Sequence, residues 1–306
     1  MQMKHLRTLE CIDAVARTGS IRKAADRLAL TGSALNRRIQ EFEAELGAPV
    51  FERLPRGVRL NAAGELLIRH ARAQFADMER LRSQIADLSG LRRGHVAVAC
   101  SHAAAHSFLP AQVLAYRAEF PAVTFELLVR DHLSAQRALI DFSADLALVF
   151  EPAVQPEMAT LMAVDQPVHA VMAAGHPLAA RPVVRLRDCL RYPLALPDRS
   201  FGGRQILEEA LGFRSLRVEP AVESNSFRAL REIVRGSDAV TFQIALGAEA
   251  EGEGTVARPV DRRDLRGGRL VLGQLRGRSL PVAAAKFADR LAAALDAMRG
   301  TEAGAP

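Results

Sequence analysis

The first sixty residues restrict what the N-terminal part of this chain can become. Their apolar positions recur at helical spacing and are interrupted twice, each time by a very short turn. Leu6, Leu9, Ile12 and Val15 form one stripe, Ile21, Ala24, Ala25 and Leu28 a second, and Leu35, Ile39, Phe42 and Leu46 a third. Gly19-Ser20 divides the first two and offers Ser20 as an N-cap, while Leu30-Thr31-Gly32 divides the second and third with Thr31 as the next cap. Two helices joined by so tight a turn read as a helix-turn-helix.

After Gly47, the segment "PVFERLPRGVRLN" alternates apolar and polar residues, turns at Pro55-Arg56-Gly57 and alternates again, the pattern of a small hairpin or wing. Asn61 then caps a long helix on which Leu67, Ala71, Gln74, Met78, Leu81, Ile85 and Leu88 step by four and three. Such a seam is buried either by a second copy of the chain or by its own domain, the former being the simpler arrangement. The "SGLRRG" segment at 89–94 reads as a hinge.

Beyond it the periodicity changes. Apolar runs "VAVAC", "FELLV" and "LALVF" alternate with helical segments near 107–119 and 133–142, and the alternation resumes at "PVHAVMAA", "YPLALP", "RVEPAV" and "AVTFQ" with helices near 203–211 and 226–235. This predicts βαβ units on mainly parallel sheets in two lobes. A helix from Pro281 to Met298 closes the fold, "GTEAGAP" should fray, and "GAEAEGEGT" reads as a surface loop.

The length of 306 residues agrees with two or three folded units, and the net charge of +6 suits an anionic partner. Cys11, Cys100 and Cys189 lie far apart and in odd number, which argues against disulfides or a zinc knuckle and for a reduced, cytoplasmic setting. Charges occupy the place of a signal peptide's apolar core, and no apolar run approaches the ~18 residues of a membrane span, so no membrane partner is expected.

The stretch "GSIRKAADRLALTGSALNRRIQEFEAELGAPVFERLPRGVRLNAAG" resembles the N-terminal winged helix-turn-helix of the LysR-type transcriptional regulators. The long helix and two α/β lobes fit that family's layout over nearly the whole chain. The resemblance implies a DNA-binding regulator that is a homodimer through the long helix, commonly a tetramer, with a two-lobed periplasmic-binding-protein-like domain for a small effector. The expected division is a DNA-binding head at 1–62, a linker helix at 63–90, a first lobe at 93–165 and 268–299, and a second lobe at 166–267. There are departures: Thr31-Gly32-Ser33 stands where the family often has Ser-Gln-Pro or Ser-Gln-Ser, and Asp238 and Gln243 where it often has Gly and Pro.

With Leu35, Ile39, Phe42 and Leu46 buried, the third helix turns Ser33, Asn36, Arg37 and Gln40 outward at i, i+3, i+4, i+7 spacing, with Arg38 beside them. Arg bridges guanine and Asn or Gln bridges adenine in the major groove of double-stranded DNA. Thr31 at the helix start suits a phosphate, and Arg53, Arg56 and Arg59 put three cations on the wing for the DNA backbone or a minor groove. Glu41, Glu43 and Glu45 should point away from the duplex.

In open α/β sheets ligands bind beyond the strands' carboxyl ends. That rule selects Ser101 and His102 after "VAVAC", Phe150 at the end of "LALVF", Ser200 and Phe201 after "LALP", and Ser224 and Asn225 after "VEPAV" as candidates for a small-molecule effector. Ser101, His102 and Ser200 are also the positions the resemblance supports most directly. The N–H groups opening the helix at Gly202-Gly203, with Arg204 nearby, suit a carboxylate, so a small anionic or polar metabolite is expected. His102 and His106 stand four apart, yet no third metal ligand is evident, and no metal or cofactor is expected. No G-x-S-x-G, P-loop, H-E-x-x-H or post-strand G-x-G-x-x-G occurs, so a catalytic role is not expected. The alternatives are a regulator without a small-molecule effector and an enzyme carrying an appended DNA-binding head.

Overall fold

The computed structural model describes residues 2–88, 93–151, 156–213, 218–248 and 254–302. Two compact units emerge, Met1–Arg82 and Ser83–Pro306.

The first unit comprises α1 (Gln2–Thr18), α2 (Ile21–Arg27), α3 (Gly32–Leu46), the hairpin β1 (Phe51–Leu54) and β2 (Gly57–Leu60), and most of α4 (Ala62–Leu88). Both expected caps form: Ser20 accepts from the Lys23 N–H at 3.4 Å and Thr31 from the Ala34 N–H at 3.2 Å. Leu9, Ile12, Val15, Ala24, Ala25, Leu35, Ile39 and Phe42 make one core. Leu46 departs from expectation. It is 46% exposed, because Gly47 ends the helix in the left-handed region (φ +77°) one residue later.

The hairpin pairs Phe51 with Leu60 through to Leu54 with Gly57. Gly57 lies at φ +115°, and a Cβ there would sit 2.4 Å from the Gly19 carbonyl oxygen, which also accepts from the Val58 N–H at 3.0 Å. Only glycine lets the wing seat on the α1–α2 turn. Asn61 caps α4 as expected, accepting from the Gly64 N–H at 2.9 Å. The seam of α4 divides: Ile68 and Ala71 are buried in the head core with Leu67 and Phe75 against it, whereas Leu81 is 49% exposed and Ile85 55%. Leu88's side chain and residues 89–92 of the expected hinge lie outside the described residues.

Within the second unit, the first lobe runs β3 (Gly94–Cys100), α5 (His102–His106), α6 (Phe108–Glu119), β4 (Val123–Val129), α7 (His132–Ile140), β5 (Leu146–Phe150) and β6 (Met158–Gln166). The second runs β7 (Val168–Ala173), α8 (Leu186–Cys189), β8 (Ala195–Pro197), α9 (Gly202–Gly212), β9 (Val222–Ser224), α10 (Phe227–Arg235), β10 (Thr241–Ile244), α11 (Ala245–Ala248) and β11 (Thr255–Pro259). The chain then returns to the first lobe with β12 (Gly268–Leu275) and α12 (Val282–Glu302). Buried Phe287, Leu291 and Leu295 hold α12 in the core.

The first sheet has the order β4-β3-β5-β12-β6; the second lobe has β10-β7-β11 and β8-β9, linked by a parallel bridge from Leu194 to Val240. Neither is as parallel as expected. In the first lobe β12 runs antiparallel to β5 and β6, and in the second β7 runs antiparallel to β10 and β11. The cause is topological, since β7 and β12 are the strands through which the chain enters each lobe from the other. The Gly247-Ala248 start of the expected surface loop is instead buried helix, and residues 249–253 lie outside the described residues. The helical backbone of α12 extends through Gly300–Glu302, the first residues of the tail expected to fray.

Candidate functional site

Two surfaces gather the candidate residues. The first is the outward face of α3, where Ser33, Arg37 and Gln40 are exposed and Asn36 half-exposed. The Arg37 side chain is 80% exposed and lies 3.6 Å from Glu41, a pair too solvated to hold the guanidinium. Thr31 uses its hydroxyl on the helix start and lies 3.2 Å from the Ser33 hydroxyl. Arg38 turns off this face, half-buried, with Nη1 3.7 Å from the Cys11 Sγ of α1. Glu43 accepts from the Val50 N–H at 2.7 Å and so anchors the entry to the wing.

On the wing, Arg53 and Arg56 are exposed and make no ion pair among the described residues. Arg59 is paired across the strands with Glu52 at 2.7 Å, so part of its positive charge is offset. Sequence reasoning missed Asp13. Only 8% exposed, it accepts from Arg17 at 2.6 Å and from Arg72 of α4 at 2.7 Å, tying the long helix to α1. Its contact spans 59 residues, so no local pattern points to it.

The second surface is a cleft of about 510 Å³ between the lobes. Of the seven expected residues it brings together Ser101, His102, Phe150, Ser200 and Phe201. Ser224 and Asn225 do not line it; the Ser224 hydroxyl accepts from the Ser226 N–H at 3.1 Å instead. Arg204 does not face it either. At 3% exposed, its guanidinium donates to the Pro197 carbonyl at 3.0 Å, Glu208 at 2.9 Å and Glu223 at 3.1 Å, which fixes the loop that carries Ser200 and Phe201. The cation of the cleft is Arg130. It follows β4, so the strand-end rule applied to "FELLV" finds it along with Asp131 and His132. Phe242, Gln243 and Ile244 are reached the same way from "AVTFQ", while Phe227 has no such signal because it opens a helix.

Four phenylalanines, Phe150, Phe201, Phe227 and Phe242, give the cleft an apolar wall. The His102 ring lies 5.2 Å from Phe201 edge-on and 6.1 Å from Phe227, and burial lowers its pKa, with the Asp198 carboxylate pulling the other way. Against this wall two buried polar atoms have no hydrogen-bond partner among the described residues: Ser101 Oγ and His132 Nδ1. Ser101 stands at the N-cap of α5 yet makes no capping bond. A serine that declines its local bond while buried exposes a donor and acceptor to whatever enters. Ser200 is differently placed, since its hydroxyl donates to Asp198.

His106 Nε2 lies 3.5 Å from Arg231, and among the described residues no three metal-ligating side chains gather. Burial pushes the Cys100 thiol up to about 12, so it stays protonated at the end of β3. No helix among the described residues is long and apolar enough to cross a membrane.

This head and cleft match known families. Residues 6–65 match the bacterial regulatory helix-turn-helix protein, lysR family, and residues 89–296 the LysR substrate binding domain. The chain therefore belongs to the LysR family of DNA-binding transcriptional regulators. Among curated relatives it is 23% identical over 252 residues to the transcriptional activator CmpR of Synechocystis sp. (82% of this chain, 83% of the relative). It is 31% identical over 208 residues to the regulator CbbR of Sinorhizobium medicae (68% and 66%). Its fold is similar to a full-length OxyR from Pseudomonas aeruginosa, with TM-score 0.71, 18% identity and 94% of each chain covered. It is similar to full-length CbnR complexed with target DNA, with TM-score 0.65, 19% identity, and 95% and 99% covered. The second unit is similar to the Synechocystis CcmR regulatory domain in complex with 2-PG, with TM-score 0.59, 19% identity, and 66% and 98% covered.

Proposed function

We propose that α3 reads duplex DNA in the major groove through Ser33, Asn36, Arg37 and Gln40, with Thr31 at the helix start and Arg53, Arg56 and Arg59 on the flanking backbone. Arg38 supports the helix rather than reading a base. Two copies pair through the exposed part of the α4 seam around Leu81, giving a dimer that can build a tetramer. The regulator acts in the cytoplasm and catalyses no reaction; what supports this is that the curated relatives are transcriptional regulators.

The cleft takes a small carboxylate with a flat apolar body. The observation that carries this is the buried, unbonded Ser101 hydroxyl beside four phenylalanines, with Arg130 and the α9 start at hand for the negative charge. Ligand binding closes the lobes about the paired crossings at Gln166–Val168 and Gly267–Gly268 and biases the geometry of the DNA heads. It can do so only through unequal affinity for the two states. The test is to sequence genomic fragments retained by the purified protein and titrate metabolites of the adjacent genes by calorimetry. A carboxylate that binds wild type and loses at least tenfold in Ser101→Ala is expected; binding confined to cations or to compounds without a carboxylate would overturn the ligand class.

A further inference from the structure

A carboxylate met by the Ser101 hydroxyl leaves the second unbonded atom of the same cleft wall, His132 Nδ1, without a role. His132 opens α7, three residues past the end of β4. Its ring makes no hydrogen bond, ion pair or ring contact among the described residues. The other imidazole of the cleft differs, since His102 packs edge-on to Phe201 at 5.2 Å. His132 is therefore not held by aromatic packing, and its chain neighbours do not serve it. The Asp131 carboxylate accepts from the Ser134 N–H at 2.9 Å, and Arg130 Nη1 donates to the Val129 carbonyl at 3.3 Å. A covered ring nitrogen left unbonded beside a cleft calls for a partner that arrives from the cleft.

The strand ends set the spacing of that partner. β3 and β4 run parallel and finish level, Cys100 opposite Val129, and the Arg130 N–H donates to the Cys100 carbonyl at 2.9 Å. Ser101 and Arg130 thus stand at neighbouring strand ends, their backbones about 4.8 Å apart. A carboxylate suits that pair, with the hydroxyl donating to one oxygen and the guanidinium to the other. From Arg130 to His132 the backbone spans at most about 7 Å, so a ring-sized ligand held at Ser101 and Arg130 has the imidazole within its own length.

We infer that the effector of this cleft is a hydroxylated aromatic acid and that His132 selects the hydroxyl. This rests on the carboxylate reading of the cleft and adds a second polar group to it. A hydroxyl both donates and accepts, so it bonds Nδ1 in either neutral tautomer. A second carboxylate needs a protonated Nδ1 and sets another negative charge against Phe150 and Phe227, where desolvation opposes it. An acid without the hydroxyl leaves Nδ1 unbonded while excluding water from it, and is rejected for that reason.

The test is calorimetry on the full-length protein with benzoate, its ortho-, meta- and para-hydroxylated forms, and phenol. At least one hydroxybenzoate is expected to bind at least about tenfold more tightly than benzoate. His132→Leu should bring that preference below about threefold while changing benzoate itself by less than about threefold, a split that a merely structural role would not give. His132→Asn, whose amide puts a polar atom where Nδ1 stands, should keep most of the preference, and His132→Gln, which puts it near the Nε2 position, should lose it. Acids that bind without regard to the hydroxyl, equal loss of benzoate and hydroxybenzoate in His132→Leu, or a preference that survives that variant would overturn the role of His132 and leave the carboxylate reading standing. Phenol bound in a His132-dependent way with no acid bound would overturn the carboxylate and keep His132 as the hydroxyl's partner. No saturable binding of any of these compounds up to about 10 mM would overturn the proposal.

Discussion

The DNA-facing helix and the ligand cleft solve opposite problems with similar side chains. On α3 the candidate groups share one face of a single helix, convex and wet, while the polar groups beneath them are paired: Asp13 holds Arg17 and Arg72, and Glu43 holds the wing. In the cleft the groups come from six separate segments, and Ser101 Oγ and His132 Nδ1 are buried without partners among the described residues. A surface that binds a rigid polyanion gains from a head already fully bonded. One that must change state on binding keeps some bonds unmade until the ligand supplies them.

The sharpest way to break this contrast is to delete one buried polar group on each side. Asp13→Ala removes the carboxylate shared by Arg17 and Arg72, the latter 16% exposed, and with it the tie between α1 and α4; a loss of about 3 kcal/mol in the head's stability is expected by denaturant titration. Arg37→Ala leaves stability alone and removes about 1–3 kcal/mol of discrimination between the operator and mismatched duplexes, read by competition binding. Ser101→Ala, by contrast, removes a hydroxyl with nothing to lose in the free protein. Its stability should be unchanged or up to about 1 kcal/mol higher, while ligand affinity falls. Should Ser101→Ala destabilise as Asp13→Ala does, the cleft is bonded like the head and the contrast fails.

A smaller effect separates the two basic elements of the head. Arg56, exposed at the tip of the hairpin turn, should act on all sequences alike: Arg56→Ala weakens operator and random duplex equally and lowers the salt slope by about 1. Arg59, bound to Glu52, should change that slope less. A sequence-dependent loss at Arg56 would move it from backbone to base contact.

The same contrast governs what could be read from residues alone. The caps at Ser20, Thr31 and Asn61 and the wing turn at Gly57 are set by neighbours a few positions away, so the pattern carries them. Leu46 misled because its periodicity continues while the helix stops at Gly47. The cleft is half legible: strand ends point to Ser101, His102, Phe150, Ser200 and Phe201, but the Ser224 hydroxyl serves a local turn, Asn225 does not line the cleft, and Arg130 reads locally as an ordinary exposed cation. Which way Arg204 turns depends on Glu223, nineteen residues on, and the reversal of β7 and β12 depends on how the chain crosses between lobes. Neither leaves a short-range trace.

The smallest expected effect concerns His102, where burial in the cleft should appear as a pH dependence of stability. Burial against Phe201 and Phe227 disfavours the imidazolium, and Asp198 only partly offsets this, so the folded pKa lies below the ordinary histidine value. The unfolded chain then binds the proton more readily, and stability is fully present above the ordinary histidine range and falls as pH drops through it. His102→Gln should flatten that fall between about pH 7 and 5, measured as melting temperature of the full chain against pH. A carboxylate in the cleft should reverse the sign locally by stabilising the imidazolium, so its binding should draw a proton from solution. Buffers of different ionisation heat would reveal that uptake in calorimetry, and its absence would place the ligand's charge at Arg130 and α9, away from His102.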